Sequence, residues 1–146
     1  MIKKFLNKQI YRLLDANANR AREGLRVLED IARFIMDDEK ITKQLKGERH
    51  KITSLLRKVP GGEKLLLKGR DSDTDVGSRS YPYSEGKRAG ISEVAISNFR
   101  RSQEAIRVLE EVTKIFKSDL PRRFKAMRFR LYTLEKKFRG KREAQI

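Results

Sequence analysis

Apolar side chains recur every three or four residues along two long stretches of the chain. The first series contains Leu14, Ala18, Ala21, Leu25, Leu28, Ala32 and Ile35, and the second contains Ala95, Phe99, Ser102, Ile106, Leu109, Thr113 and Phe116. This spacing places one side of an α-helix against a core, and no stretch shows a comparable strand-like alternation. The pattern predicts four helices, at about 6–36, 40–58, 91–117 and 120–138.

The two long helices are similar to each other in sequence. When the chain is shifted by 81 positions, seven of the thirteen residues in 17–29 are identical to those in 98–110. A shift of 79 aligns Lys46, Arg49, Leu55 and Lys58 with Lys125, Arg128, Leu134 and Lys137. Two collinear matches predict an internal repeat. We therefore expect an all-α fold, in which two repeated helical hairpins form an antiparallel bundle with a long central loop.

The length of 146 residues is typical of a single domain. Within it we expect copy one at about 6–59, a ligand loop at about 60–90, copy two at about 91–138 and a frayed tail at 139–146. The loop contains six glycines, and loops of this length are usually functional or disordered. Asp37-Asp38 and Ser118-Asp119 predict N-caps for the second helix of each hairpin.

The charge balance favours anionic ligands. Lys and Arg number 36 against 20 Asp and Glu, a formal net charge of +16, which favours phosphates on a metabolite, a nucleotide or RNA. The chain has no Cys and one His, so disulfides, thiolate metal sites and a multi-histidine zinc site are excluded. No apolar run is long enough to span a membrane, and the first residues lack a signal-peptide core. We expect a cytoplasmic protein.

Polar residues interrupt the apolar side of the first long helix. Asn17, Arg20 and Gly24 lie within it and Glu23 lies at its edge, while the repeat places Asn98, Arg101, Ala105 and Glu104 at the equivalent positions. A buried arginine is costly unless it is paired. One interpretation is therefore an internal network that pairs Arg20 with Glu104 and Arg101 with Glu23. The other is a polar pocket at the bundle centre, where the arginines bind phosphate oxygens and the asparagines bind a ring or hydroxyl group.

The central loop carries the motif Arg70-Asp71-Ser72-Asp73-Thr74-Asp75-Val76-Gly77. An EF-hand is disfavoured because Val76 stands at the sixth position of the acidic series, where that loop requires glycine. Carboxylates beside an arginine suit Mg²⁺ with phosphate better. The alternative is a group of Asx turns in a surface loop. Neither common glycine-rich nucleotide motif occurs, so a nucleotide would bind in a different kind of site.

Three motifs in order give the chain a family resemblance. They are the segment 15–30 (DANANRAREGLRVLED), the loop motif 70–77 and the segment 98–111, within a match from about Tyr11 to Phe116. Together they resemble the hydroxymethylpyrimidine-phosphate kinase domain of the second, non-ribokinase type. That domain occurs alone or fused ahead of thiamine-phosphate synthase, and the synthase barrel is absent from these residues. Ala18 departs from the larger apolar residue expected there.

The resemblance implies a kinase that uses ATP and Mg²⁺ to convert the pyrimidine phosphate to its diphosphate. It implies catalytic roles for Arg20, Arg101, Asp71 and Asp75, with Asp71 and Asp75 also at the metal. The implied substrate- and nucleotide-binding residues are Asn17, Asn19, Glu23, Arg26, Arg70, Gly77, Asn98, Glu104 and Arg107. Thiamine-phosphate synthase is an implied partner, and the oligomeric state stays open, a homo-oligomer included.

Other classes of function remain open from the sequence. A helical enzyme acting on another anionic metabolite would need neither ATP nor metal. An RNA-binding module is favoured by the net charge, but no RNA-binding motif is present and aromatic residues are sparse, so a nucleic-acid partner is disfavoured. A non-catalytic domain that recruits the synthase is a further alternative.

Overall fold

Five α-helices make up a computed structural model that describes residues 2–82 and 86–144. No strand occurs within these residues, which confirms the predicted all-α class. The helices are α1 Ile2–Phe34, α2 Glu39–Leu56, α3 Gly62–Gly69, α4 Ile91–Thr113 and α5 Leu120–Ala144.

Two expectations about the connecting segments were wrong. The segment expected to be loop throughout, 60–90, contains α3. The tail expected to fray from residue 139 continues α5 as far as Ala144, and positions 145 and 146 lie outside the described residues. Short helices such as α3 carry too few periodic positions to be recognised, and its preceding Gly61 and Gly62 are typical of a turn.

The longest helix, α1, lies at the centre of the molecule. It packs against α2, α3 and α4, while α5 packs against α4 and α2. Its predicted apolar stripe forms the core: Leu14, Ala18, Ala21, Leu25, Leu28 and Ala32 are each at most 1% exposed. Ile35 was expected to extend this stripe, but α1 ends at Phe34 and Ile35 is exposed.

The predicted N-caps position the second helix of each pair. The Asp38 carboxylate accepts a hydrogen bond from the Ile41 N–H at 2.9 Å, and the Ser118 hydroxyl oxygen accepts one from the Leu120 N–H at 3.3 Å. Such bonds satisfy helix donors that have no partner within the helix. Asp37 has a φ of +51°, which completes the tight turn between α1 and α2.

Three buried glutamates join neighbouring helices through arginines. Glu29 accepts from Arg49 Nε at 2.8 Å across α1 and α2, and Glu110 accepts from Arg128 Nε at 2.9 Å across α4 and α5. Glu48 accepts from Arg130 Nε at 2.7 Å across α2 and α5. The first two pairs are equivalent in the repeat, because Glu110 follows Glu29 by 81 positions and Arg128 follows Arg49 by 79. Because these carboxylates are buried, the pairing fixes how the helices pack.

The described helices show no membrane-spanning character: none is both long enough and apolar enough to cross a bilayer.

Candidate functional site

The helices α1 and α4 cross at very close range. A Cβ atom at Gly24 would lie 2.3 Å from the Ser102 hydroxyl oxygen and 3.1 Å from the Asn98 carbonyl oxygen. The Ser102 hydroxyl in turn donates to the Ala21 carbonyl at 3.2 Å. Glycine in a helix costs about 1 kcal/mol relative to alanine, and here the close contact with α4 offsets that cost.

An open groove of about 440 Å³ lies beside this crossing. We call it the α1/α4 groove, and its lining residues are Asn17, Arg20, Ser97, Arg100, Arg101, Glu104, Ala105 and Val108. Asn17 and Ala105 both line the groove, Ser102 bonds to Ala21, and Gly24 lies against the Asn98 backbone. Residues early in α1 thus lie beside residues late in α4, so the two helices run antiparallel.

The groove is on the surface and not at the bundle centre. Arg20 and Arg101 were expected to face inward, but both are exposed, as are Glu23 and Glu104. The internal pairs of Arg20 with Glu104 and Arg101 with Glu23 do not occur among the described residues. The helical wheel placed Arg20 and Arg101 within the apolar side and Glu23 and Glu104 at its edge, but no further helix of the described structure covers that part of α1 and α4.

The arginines of the groove are available to an anionic ligand. Arg20, Arg100 and Arg101 have no hydrogen-bond or ion-pair partner within the described part of the chain. An arginine presents up to five N–H donors in a planar fork that matches phosphate oxygens. Three unpaired guanidinium groups around one groove can therefore bind a phosphorylated ligand through several charge-assisted hydrogen bonds.

Asparagines at equivalent positions of α1 and α4 are held by their own helices. Asn17 Nδ2 donates to the Leu13 carbonyl at 3.0 Å, and Asn98 Nδ2 donates to the Val94 carbonyl at 2.8 Å. Asn17 is only 3% exposed, yet it lines the groove. Its Oδ1 atom accepts no hydrogen bond from the described residues. It can therefore accept one from a ligand, for example from an amino group on a ring.

Three predicted binding residues lie away from the groove with partners of their own. Asn19 Oδ1 accepts from Arg22 at 2.8 Å. Arg26 is 3.4 Å from Asp30, and Arg107 is 3.2 Å from Glu111. These contacts are local pairs on the helix surface. The groove brings together four of the predicted site residues: Asn17, Arg20, Arg101 and Glu104.

The loop motif is tethered to α1 by its first residue. Arg70 Nε and Nη2 donate to the two carboxylate oxygens of Asp15, each at 2.8 Å, and this pairing raises the pKa of Arg70. Arg12 Nη2 donates to the Asp71 carbonyl at 3.1 Å. Gly69 packs against the α1 backbone at Arg12, where a Cβ would lie 2.8 Å from the backbone nitrogen. Arg70 therefore anchors the loop and does not line the groove.

The sequence did not single out Asp15, the partner that tethers the loop motif. It is buried at 6% exposure and follows Leu14 of the apolar series of α1. An acidic residue next to that series was the available signal. Arg100 and Ser97 of the groove were also missed, since neither interrupts the apolar pattern of α4.

The loop carboxylates form local turns in this structure. Both Asp71 oxygens accept hydrogen bonds from Thr74, which hold the pKa of the Asp71 carboxyl below its usual range. Asp75 Oδ1 accepts from the Gly77 N–H at 2.8 Å. This is the Asx-turn geometry that the sequence left as the alternative. All of Asp71, Asp75 and Gly77 are exposed, and none lines the groove.

The carboxylates suit Mg²⁺ only as partial ligands. The described residues hold no group of three or more His, Asp, Glu or Cys side chains that could bind a metal alone. Mg²⁺ usually takes one or two protein carboxylates, with substrate phosphates and water completing its shell. Asp71 and Asp75 are exposed, so they could supply such partial ligands, but they do not form a complete metal site by themselves.

The fold and the groove together define an all-helical protein with an open, arginine-lined groove on its surface. The chain belongs to the ThiD2 family, whose model matches residues 12–137. It is 39% identical over 126 residues to a thiamine-phosphate synthase of Rhodopirellula baltica, covering 86% of this chain and 33% of that protein. It is 36% identical over 144 residues to the Nostoc punctiforme enzyme of the same name, covering 99% of this chain and 39% of that protein.

The chain thus spans about a third to two fifths of the length of these relatives. No solved structure matches it. The family and the names of the relatives agree with the thiamine-pathway domain that the three motifs predict.

Proposed function

We propose that this chain transfers the γ-phosphoryl group of ATP to 4-amino-5-hydroxymethyl-2-methylpyrimidine phosphate in thiamine biosynthesis. The reaction forms a bond between the acceptor phosphate oxygen and the γ-phosphorus, breaks the bond to the β-phosphate, and releases ADP and the pyrimidine diphosphate. The observation that carries the proposal is the α1/α4 groove, where Arg20 and Arg101 lie exposed and unpaired beside Asn17. Membership of the ThiD2 family supports it.

The proposal treats the chain as two related hairpins, α1–α2 and α4–α5. The equivalent pairs Glu29–Arg49 and Glu110–Arg128, with Nε–Oε2 distances of 2.8 and 2.9 Å, support this relation. The related halves supply Arg20 and Arg101 to one groove, so a phosphate-rich ligand meets one guanidinium from each half. Duplication of one helix pair would thus account for a site with an arginine on each side.

The chemistry requires positioning and charge neutralisation more than a reactive side chain. Phosphoryl transfer places developing charge on the phosphate oxygens, which preorganised guanidinium donors stabilise. Arg20 and Arg101 take this role in our proposal. Asn17, with its Oδ1 atom free of other donors in the described residues, accepts a hydrogen bond from the ring amino group of the pyrimidine.

Mg²⁺, when bound with ATP, neutralises and orients the phosphate groups. Asp71 and Asp75 would hold it from the loop side, and Gly77 would let the loop backbone approach the phosphates. In this structure the loop motif lies away from the groove, so our proposal includes its movement towards bound ligand. The exposed segment 71–82 makes few contacts outside its own turns, which leaves it free to move.

The product identifies the proposed functional partner. Thiamine-phosphate synthase, the name carried by the curated relatives, would consume the pyrimidine diphosphate in the cytoplasm. In the longer relatives, fusion would place both active sites on one polypeptide. For this chain we propose that the kinase and the synthase act one after the other.

The deciding experiment is an ADP-release assay with purified protein, ATP, Mg²⁺ and the pyrimidine phosphate, with the diphosphate product measured by mass spectrometry. We expect ADP and diphosphate in equal amounts, and no ADP without the acceptor or with EDTA. Folded protein that forms no diphosphate at any temperature below its melting point would contradict the proposal.

A basic RNA-binding role is the second candidate, because α5 carries ten Lys and Arg residues against two Glu. Salt separates the two functions. RNA affinity should fall by a factor on the order of 10³ or more between 50 and 200 mM salt if about six phosphates are contacted. Turnover of a small substrate in the groove should fall much less.

A further inference from the structure

An exposed, partly apolar stripe runs along α1 at seven-residue spacing. Leu13, Val27 and Phe34 are 45%, 36% and 64% exposed, and Arg20 is the second residue of the series. Seven-residue spacing keeps side chains on one side of a helix. This side of α1 lies opposite the residues that contact α2, such as Arg22 and Glu29.

The helix α4 carries an equivalent stripe beside it, which continues to Ile115, two residues after the helix ends at Thr113. Val94, Arg101, Val108 and Ile115 follow at the same spacing, each 81 positions after its counterpart in α1. Ile115 is 62% exposed, and Val94 and Val108 are half-buried. We call the two stripes together the α1/α4 face: Leu13, Arg20, Val27, Phe34, Val94, Arg101, Val108 and Ile115. The groove lies within this face.

The charges at the middle of the face are of both signs and unpaired. Arg20 and Arg101 are accompanied by Glu23 and Glu104 one turn along each helix, and none of the four has an ion-pair partner among the described residues. With Arg100 of the groove, the face carries three positive and two negative charges, against a net +16 for the chain. Two copies would repel each other through most of their surfaces, and much less through this one.

We propose that two copies of this chain associate through the α1/α4 face and that the second copy closes the phosphate-binding groove. In a two-fold arrangement the same patch contacts itself, so the charge pattern must be complementary to itself. Arginine and glutamate at neighbouring turns of both helices meet that condition, because Arg20 and Arg101 can face Glu104 and Glu23 of the partner subunit. The apolar residues at both ends of the face then pack against each other.

The role of the second copy in closing the active site rests on the proposed function. The groove is open to solvent in a single copy, and phosphoryl transfer proceeds best where water is excluded. Closure by a second α1/α4 face would bring the three groove arginines of each copy, six in all, around one chamber. It would also explain why Leu13, Val27, Phe34 and Ile115 stay exposed although none of them lines the groove. A polyanion such as RNA does not suit a face with two glutamates and six apolar residues.

The test measures mass and activity in parallel for the wild type and for two variants that place a charge at an apolar position of the face, Val27→Glu and Phe34→Glu. Light scattering should give twice the 17.1 kDa chain mass for the wild type and a single-chain mass for both variants. Leu67→Glu, at a residue 61% exposed on α3, is the matched control and should remain a dimer. Circular dichroism establishes that each variant is folded.

The absence of cysteine from the chain allows a direct check of the contact. A single cysteine introduced by Val27→Cys should react with a short bismaleimide to give covalent dimers at low protein concentration. Leu67→Cys should give few. Equal cross-linking at the two positions would contradict a specific α1/α4 interface.

Kinase activity distinguishes failure of this inference from failure of the proposed function. Folded, monomeric Val27→Glu and Phe34→Glu should lose about tenfold or more of kcat/KM, as expected when a site is no longer closed. A wild type that is active as a monomer, or monomeric variants with full activity, would overturn the inference and leave the proposed function standing. A dimeric wild type that never forms the diphosphate would overturn the proposed function and leave the interface standing.

Discussion

At the scale of single residues, burial separates two kinds of arginine that look alike in the sequence. Arg49 and Arg128 have side chains 21% and 12% exposed and pair with buried glutamates. Arg20 and Arg101 are exposed and unpaired in the described structure. The first kind maintains the fold, and the second kind is available for ligand. Substitution should therefore affect stability in one case and activity in the other.

Arg20→Met and Arg101→Met should each lower kcat/KM by at least ~100-fold, equivalent to about 2.7 kcal/mol of transition-state stabilisation. Because both side chains are exposed, the melting temperature should change little. Steady-state kinetics and thermal unfolding measure the two effects together. Arg122→Met, at another exposed arginine on α5, is the matched control. Normal activity per folded molecule in both groove variants would remove these arginines from the site.

The loop carboxylates give a second prediction at this scale. Asp71→Asn and Asp75→Asn should lower kcat and raise the Mg²⁺ concentration needed for half-maximal rate. Stability should change by less than ~0.5 kcal/mol, because both residues are exposed. Asp73→Asn, also exposed in the same loop, serves as control. Wild-type kcat and Mg²⁺ dependence in both variants would show that the loop only connects the two halves.

At the scale of secondary-structure elements, the helices are fixed to one another by buried carboxylates with arginine partners. Arg128→Met would leave Glu110, 5% exposed, without its main partner, and breaking a buried pair typically costs about 3–5 kcal/mol. We expect that loss in urea unfolding for Arg128→Met and a similar loss for Arg49→Met. Activity per folded molecule should stay normal. A loss below about 1 kcal/mol would mean that water replaces the arginine at the carboxylate.

The start of α2 gives a pH-dependent prediction. The bond from the Ile41 N–H and the ammonium of Lys141, 2.6 Å from Asp38 Oδ2, lower the pKa of the Asp38 carboxyl below 3.8. A lowered folded-state pKa contributes stability above the unfolded-state value, and that contribution is lost as the pH falls through the folded-state value. Asp38→Ala should therefore lose about 1 kcal/mol at neutral pH, and the difference from wild type should shrink below about pH 4.

Asp38→Asn is the matched variant for that measurement. Asparagine caps helices nearly as well as aspartate, so it should retain most of the stability and lose the pH dependence together with the charge interaction with Lys141. Unfolding free energies measured from pH 3 to pH 7 for the three proteins distinguish the cap from the ion pair. A pH-independent difference between wild type and Asp38→Asn would contradict the assignment.

The helices themselves could largely be predicted from the sequence, since periodic apolar residues and capping aspartates are local signals. The helix α3 could not, because Leu65 and Leu66 pack against α1 only after the chain has turned at Gly61 and Gly62. The tether between Arg70 and Asp15 joins residues 55 positions apart. No local pattern reveals such a pair, although both residues lie within the recognised motifs.

At the scale of the whole molecule, the charge is divided between distinct surfaces. The helix α5 carries half of the positive excess, with ten Lys and Arg against two Glu, whereas the α1/α4 face and its groove combine three arginines and two glutamates with apolar residues. Net charge alone favours polyanion binding over the whole surface. The distribution makes α5 the most basic helix, while the α1/α4 face, where glutamates accompany the arginines, is the surface for which we propose a small anionic ligand and a second copy of the chain.

The sequence by itself determined the all-α class, the presence and approximate position of the long helices, the N-cap of α2 and the family, because each depends on neighbouring residues or on motifs in order. The ends of the helices were not determined: the helix predicted at 91–117 ends at Thr113, and the one predicted at 120–138 continues to Ala144. It also identified Asn17, Arg20, Arg101 and Glu104 as polar residues beside an apolar stripe. Only the tertiary structure decided that these residues line a surface groove and not a buried pocket. The reason is physical: a helical wheel gives the direction of a side chain, whereas its burial depends on which helices pack around it. Here α2, α3, α4 and α5 cover the other sides of α1 and α4, and the side that carries the arginines stays open.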